Sequence, residues 1–234
     1  MNFREELVSQ FNKYEITLDN TMIDQFCRYY ELLMDWNEKI NLTAITEQSE
    51  VIEKHFIDSI LPYKAFKEGS SIIDIGSGAG FPGIPLKILR PDLNITLLDS
   101  LNKRINFLNI VIEELKLNNI VAIHGRCEDV AKMPKYRESF DYGTARAVAK
   151  LNILAEYTVP FIKVGGIFVA YKGQDADNEV LESRNAITKL YLKENKHLEF
   201  NLNENSRKVL LFTKTNATPN IYPRGQNKPR KNPL

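Results

Sequence analysis

An apolar run, IIDI, leads straight into Gly76, Gly78 and Gly80 and then into a helix-forming stretch, FPGIPLKIL. Glycines at this spacing let the backbone turn with positive φ and let a ligand approach the main chain where no Cβ intervenes. Pro82 and Pro85 suit the first helical turn, and the other N–H groups of that turn are expected to stand free as a receptor for an anion or carboxylate. Asp99 closes the next apolar run, NITLLD, about twenty residues on, where a carboxylate can accept both hydroxyls of a ribose. Loop and acid together point to a nucleoside ligand beyond the carboxyl ends of parallel strands. They leave its class open, because Gly78, Gly80 and Gly83 also carry the GxGxxG spacing of dinucleotide-binding loops, as in an NAD(P)-dependent oxidoreductase.

The elements needed to hold these residues are legible in the apolar periodicity. Ile23, Phe26, Tyr30 and Leu33 form the stripe of an amphipathic helix opening near Asn20. A second stripe, Val51, Ile52, His55, Phe56, Ser59 and Ile60, ends before Pro62. From residue 71 the pattern alternates: SIIDI and a helix over about 83–89, NITLLD and a helix carrying Ile105, Leu108, Ile112 and Leu115, then NIVAIH, FDYGTA, a helix over about 151–161, and GIFVAY. Such alternation predicts βαβ crossovers and a mostly parallel sheet with helices on both faces. A last helix over about 176–192 precedes HLEFNL and KVLLFT, which read as an antiparallel hairpin at the sheet edge.

In DIGSGAG the strand runs on to Gly76 before the glycine pattern begins, and this resembles the loop that binds S-adenosylmethionine (SAM) in class I methyltransferases. After the third strand, HGRCEDV puts Arg126, Cys127 and Glu128 at the rim where an adenine edge would be read by backbone N–H and an acidic side chain; a polar loop without that role is the alternative. Cys127 has no basic neighbour except Arg126, and most lone cysteines are small buried hydrophobes. Asp74 inside the first strand reads equally as an indirect support for SAM or as a structural carboxylate. The fourth strand ends at Arg146 and the fifth at Lys172, with neither the DPPY or NPPY motif used for exocyclic amines nor a Pro-Cys nucleophile. A cation there suits a phosphate or the methionyl carboxylate. An acceptor that needs no general base, guanine N7, is consistent with these absences.

The runs WNEKINLTAIT, HFIDSI, IIDIGSGAGFPGIPLKILRPDLNITLLDSLNKRINFL, RAVAKLNIL, YKG and YPRGQNKPRKNPL closely resemble the RsmG family, also called GidB, bacterial guanine-N7 methyltransferases of 16S rRNA. The resemblance covers essentially the whole chain. It implies a class I SAM-dependent methyltransferase fold, Rossmann-like, with a seven-stranded mostly parallel sheet and a small helical N-terminal extension. It also implies SAM as methyl donor and a guanine in the decoding region of 16S rRNA as acceptor, within an assembled or partly assembled small ribosomal subunit. By matching motif, cofactor contacts fall on Gly76, Gly78, Gly80, Phe81, Asp99, Cys127, Glu128 and Arg146. Arg146 and Lys172 are the positioning candidates for catalysis, and Arg126, Lys172, Arg207 and Arg224 the candidates for RNA. WNEKINLT and the pair His55 and Asp58 are family hallmarks expected to dock the helical extension, with Trp36 as an anchor. Ser77 and Ala79 replace the threonine and proline of many relatives, changes that keep the turn small.

Length and composition set the frame: 234 residues, 43% hydrophobic and 26% charged, suit one ordinary globular domain. The expected segments are an extension over 1–66, the methyltransferase domain over 67–215 and a tail over 216–234. The formal net charge of +1 hides an asymmetry, since Lys214, Arg224, Lys228, Arg230 and Lys231 stand against no acid from residue 214 onward. That basic, Pro-rich end is expected either to touch phosphate or to be a solvated tail. Two cysteines and three scattered histidines suggest neither a disulfide framework nor a metal site. No apolar run is long enough to span a membrane and the N-terminus lacks a signal-peptide core, so a cytoplasmic protein is expected, and a monomer because no apolar stripe is left unassigned; the non-enzymatic alternative is an RNA-binding ribosome-assembly factor.

Overall fold

The computed structural model describes residues 2–146, 149–203 and 205–234; Ala147 and Val148 of the RAVAKLNIL motif lie outside them. The chain opens with α1 (Phe3–Lys13) and α2 (Asn20–Ile40). Asn2 and Glu5 close a capping box on α1, and Asp19 accepts the Met22 N–H at the start of α2, which satisfies amides that a helix start otherwise leaves without partners. The second stripe becomes α3 (Gln48–Val51), a π-helical turn over Ile52–Ile57, and α4 (Asp58–Ile60).

Strands and helices then alternate: β1 (Ser71–Ile75), α5 (Gly83–Leu89), β2 (Asn94–Asp99), α6 (Asn102–Glu114), β3 (Ile120–His124), α7 (Cys127–Val130), β4 (Phe140–Arg146), α8 (Leu151–Thr158) and β5 (Ile162–Lys172). The single helix expected next is two, α9 (Ala176–Glu182) and α10 (Arg184–Lys189), broken at buried Ser183, whose N–H turns back to the Val180 carbonyl. Then follow β6 (Leu192–Glu194), β7 (Leu198–Leu202), β8 (Asn205–Lys214) and, in the tail, α11 (Lys228–Lys231).

The sheet runs β3-β2-β1-β4-β5-β8-β6, with β7 also paired to β8. The first five strands are mutually parallel, and β8 is antiparallel to each of its neighbours. β6 pairs with the end of β8 and β7 with its beginning, so eight strands fill seven lanes. The hairpin is therefore present, but β8 lies inside it, against β5.

Two apolar layers sandwich this sheet. One joins Leu7, Phe26, Tyr29 and Phe56 of the N-terminal helices to Leu97 of β2 and Phe107 of α6, so residues 1–66 share a core with the sheet. Each fully buried ring such as Phe11, Phe26 or Phe56 contributes about 1.5–3 kcal/mol by leaving water. Trp36 docks α2 against α6 through Phe107, ring centroids 5.8 Å apart. The other layer packs α8 and α10 against Phe168 and Phe212 and takes in Tyr222 and Leu234 of the tail. No helix among the described residues is long and apolar enough to cross a membrane.

Candidate functional site

The carboxyl ends of β1, β2, β3 and β4 open on a cavity of about 760 Å³. Gly76, Ser77, Gly78, Ala79 and Phe81 form one wall, Asp99 and Arg104 a second, and Arg126, Cys127 and Glu128 a third. Gly76, Gly78 and Gly80 all take positive φ. A Cβ built on Gly78 meets nothing closer than the Gly76 carbonyl at 3.9 Å, so this glycine leaves open room where a ligand can lie against the main chain.

Gly80, expected among the cofactor contacts, is corrected: it does not line the cavity, and a Cβ there would stand 2.6 Å from Ile84 Cδ1 and 2.9 Å from the Tyr29 hydroxyl. Gly83 is likewise hemmed in, 2.3 Å from Leu97 Cδ2. Close packing at the third glycine suits a dinucleotide loop as well, but the second, Gly80, faces Ile84 and Tyr29 where a pyrophosphate would need open backbone, and this counts against the dinucleotide reading. The free amides expected in this turn are also corrected. Gly76 and Ser77 donate to the Leu98 carbonyl, Gly78 to Asp99 Oδ2, Gly80 and Phe81 to the Ser77 carbonyl, and Gly83 to Asp74 Oδ2. Each of these amides is spent on an acceptor within the protein.

Asp99, only 3% exposed, accepts from Gly78 N–H (2.9 Å), Leu101 N–H (2.9 Å) and Arg104 Nη1 (3.3 Å). These charge-assisted bonds lock the end of β2 to the glycine loop. Asp74 does not reach the cavity. It is fully buried, holds Gly83 N–H through Oδ2 at 3.2 Å and leaves Oδ1 without a partner. Burial pushes its carboxyl up to about 8, so at neutral pH it is largely uncharged and acts as a strut between β1 and α5.

The N-terminal helices supply a wall that the sequence analysis assigned only to docking. Asn41 ends α2 in a left-handed conformation, and the Asn37 side chain accepts the Thr43 N–H at 2.8 Å, which sets Leu42 and Thr43 at the cavity. His55 stacks on Phe81, centroids 4.4 Å apart, and places its Nε2 2.7 Å from Thr43 Oγ1. Its Nδ1 lies 3.3 Å from Arg146 Nη2; a guanidinium has only donors, so Nδ1 accepts and Nε2 carries the proton. Burial, and then the Arg146 charge, lower the imidazole to about 3, which keeps it neutral. Tyr29 completes the link: fully buried, it donates its hydroxyl to the Ala79 carbonyl at 2.5 Å.

Arg146, at the end of β4, lies over the Phe81 ring and donates to Asp58 Oδ2 at 2.7 Å. The other oxygen of Asp58 accepts from Arg207 Nε at 3.0 Å. Arg146 also borders a second cavity of about 290 Å³, whose other charged walls are Asp58, Lys172, Glu179 and Arg207. Lys172 is absent from the first cavity; its ammonium is buried against Glu179 (2.7 Å) and the Ala149 carbonyl (2.9 Å). The second cavity thus gathers three cations on two carboxylates, next to the first.

Of the remaining candidates, Arg126 is exposed at the rim of the first cavity and makes no ion pair among the described residues. Arg224, expected to contact RNA, is corrected: its guanidinium and N–H hold the fully buried Glu156 carboxylate at 2.6–2.8 Å. A buried carboxylate without that partner would be costly, so this arginine is a structural pin. The Cys127 thiol is pushed well up by burial and by Glu128, the state of an inert thiol. Missed by sequence reasoning were Thr43, Arg104, Tyr157, Asn227 and Arg230, which line the first cavity. Thr43 and Arg104 end the motifs WNEKINLT and LLDSLNKR, and Asn227 and Arg230 lie within YPRGQNKPRKNPL, so of these only Tyr157 had no signal.

Comparison with known proteins agrees with this geometry. The sequence profile of GidB, rRNA small subunit methyltransferase G, matches residues 22–210. Ribosomal RNA small subunit methyltransferase G of Lactococcus lactis (strain IL1403) is 47% identical over 234 residues, covering 98% of each chain. The protein of that name from Streptococcus pneumoniae (strain R6) is 48% identical over 223 residues and 94% of each. Among solved structures, M. jannaschii TYW2 in complex with AdoMet aligns with a TM-score of 0.54 at 16% identity, over 67% of this chain and 76% of that one. A SAM-dependent methyltransferase from Aquifex aeolicus aligns at 0.53, also 16% identical, over 70% and 93%. At such identity the structural likeness is one of fold, that of class I methyltransferases, whereas the near full-length sequence matches carry more: the chain belongs to the GidB family, rRNA small subunit methyltransferase G.

Proposed function

We propose that the protein transfers a methyl group from SAM to N7 of a guanine in 16S rRNA, acting as a monomer on an assembled or partly assembled small ribosomal subunit. The observation that carries this reading is the pair of adjoining cavities, one lined by the open face of Gly78 and by Asp99, the other by cations, with Arg146 on the wall between them. Names of near full-length relatives support the rRNA substrate and the reaction.

The donor cavity fits the cofactor by its chemistry. Gly76, Gly78 and Phe81 would border the methionyl end, Asp99 the ribose, and Cys127 with Glu128 the adenine. SAM supplies an electrophilic methyl group on a sulfonium, which N7, a lone pair unprotonated at neutral pH, accepts without a general base. The residues around Arg146 suit a reaction of that kind. His55 is neutral and hydrogen-bonded on both nitrogens, and Asp58 is occupied by two guanidinium groups, so neither is poised to take a proton. Asp58 also offsets the Arg146 charge, which makes an arginine beside a cationic ligand tolerable. What remains for the protein is positioning and water exclusion, and positioning alone can be worth about 7–11 kcal/mol.

Arg207 and exposed Arg126 would face the RNA, the first at the acceptor cavity and the second at the rim, while Lys172, its ammonium engaged by Glu179, would shape the acceptor cavity wall. The test is to incubate the purified protein with labelled SAM and small subunits from cells lacking the modification, then digest the RNA and identify the labelled nucleoside by mass spectrometry. Label in 7-methylguanosine is expected. Label in another nucleoside overturns the acceptor, and no label in free rRNA, partly assembled or complete subunits overturns the reading.

A further inference from the structure

One wall of the donor cavity comes from the C-terminal tail, beyond the segment that the family profile matches. The family profile ends at residue 210, yet Asn227 and Arg230 line the same cavity as Asp99 and Glu128. Their position follows from a chain of fixed points along the tail. Thr218 N–H donates to Glu138 Oε1 at 2.7 Å. The Arg137 guanidinium collects the carbonyls of Thr218 (2.8 Å), Pro219 (3.3 Å) and Tyr222 (3.0 Å). Arg224 then pins the chain on buried Glu156 of α8, and Tyr222, Pro229 and Leu234 sink into the apolar layer. Gln226 and Asn227, both left-handed at φ 58° and 59°, turn the chain back so that α11 lies on α8 and Arg230 hydrogen-bonds Tyr157, another cavity residue. A tail held at so many points is not a loose polybasic arm.

We propose that residues 224–231 form a fixed strap beside the adenine end of the cofactor cavity, in which Asn227 reads an edge of the base and Arg230, with Tyr157, closes the wall. This rests on the reading of that cavity as the SAM site. Both tail residues share the cavity with Cys127, Glu128 and Tyr157, and Tyr157, the residue that Arg230 bonds, lies in the field of the Glu128 and Cys127 side chains. Asn227 is exposed and its carboxamide does not cap α11. A carboxamide carries a donor and an acceptor side by side, which match the 6-amino group and N7 of adenine. The strap makes cofactor affinity depend on the tail and penalises a purine with a 6-oxo group.

The experiment uses the full chain carrying Asn227→Ala, Arg230→Ala or both, with dissociation constants for S-adenosylhomocysteine and S-inosylhomocysteine measured by calorimetry. Asn227→Ala is expected to weaken S-adenosylhomocysteine about 3- to 10-fold, as one lost hydrogen bond does, and to shrink the preference over the inosyl analogue. In the methylation assay KM for SAM should rise with kcat retained. Thermal melting of these exposed-site variants reports whether the fold is kept. Unchanged affinities in a folded double variant overturn the strap. So does unchanged cofactor KM with a lowered salt dependence of rRNA binding, which would return the tail to phosphate contact. Failure of the wild-type chain to bind S-adenosylhomocysteine overturns the cofactor reading itself, a result distinct from either.

Discussion

Replacing Asp58 by asparagine keeps the side-chain shape and removes the charge that two guanidinium groups share. Oδ2 lies 2.7 Å from Arg146 and Oδ1 3.0 Å from Arg207, with side-chain exposures of 12% for Asp58, 11% for Arg146 and 27% for Arg207. Removing one partner of a buried pair costs about 3–5 kcal/mol, and the amide N–H₂ would point a donor at a donor. Arg207 can turn toward solvent and Arg146 keeps the Lys54 carbonyl at 3.0 Å, so the low end applies, about 3 kcal/mol. For a chain of this size each kcal/mol moves the melting temperature by about 2–4 °C, which gives a fall of roughly 6–12 °C by scanning calorimetry at pH 7. The same substitution leaves an unneutralised cation on the donor cavity. It should weaken SAM, a sulfonium, more than the uncharged thioether S-adenosylhomocysteine. Unit charges across a partly buried site at an effective dielectric near 20 interact by about 1–2 kcal/mol, so the ratio of the two dissociation constants should shift roughly 5- to 30-fold. A melting temperature within about 2 °C of wild type, together with an unchanged ratio, would refute the reasoning.

Other perturbations test the same construction. Tyr29→Phe strands the buried Ala79 carbonyl and should cost about 1–3 kcal/mol, with weaker S-adenosylhomocysteine binding because the glycine loop loses its support; equal melting temperatures and affinities would disprove that link. His55 binds a proton near pH 6.5 when unfolded but only near pH 3 when folded, so its contribution is a loss of stability as pH falls from about 6.5 toward 3. The loss approaches about 1.4 kcal/mol per pH unit, and denaturant titrations of His55→Gln between pH 4 and 6.5 should show a slope shallower than wild type by that amount. Gly78→Ala places a Cβ toward the open cavity at φ +61°, with a backbone cost of about 1–2 kcal/mol. Cofactor binding should fall further than that stability loss explains, as judged by calorimetry alongside thermal melts.

The sequence by itself determined the alternation of strands and helices from β1 to β5, the Gly76–Gly78 loop and the acid at the end of β2. These are local signals: a two-residue or 3.6-residue apolar period, a glycine where φ must be positive, an acid at a strand end. Even Asp19 and the Asn41 stop of α2 follow from chemistry within a few residues. What only the tertiary structure decided depends on pairs far apart in the chain. Gly80 fits the loop pattern equally well as a ligand contact, and only Tyr29 and Ile84 standing against it reveal a packing role. His55 and Asp58 read as residues of an amphipathic helix, because nothing local says that Arg146 and Arg207 will arrive beside them. A run of lysines and arginines at the C-terminus looks like a phosphate-binding arm until buried Glu156 takes Arg224 and the chain turns to bring Asn227 and Arg230 to the cavity. Local backbone preference is written in neighbouring residues, whereas the partner of a charge is set by which distant segments the sheet brings together.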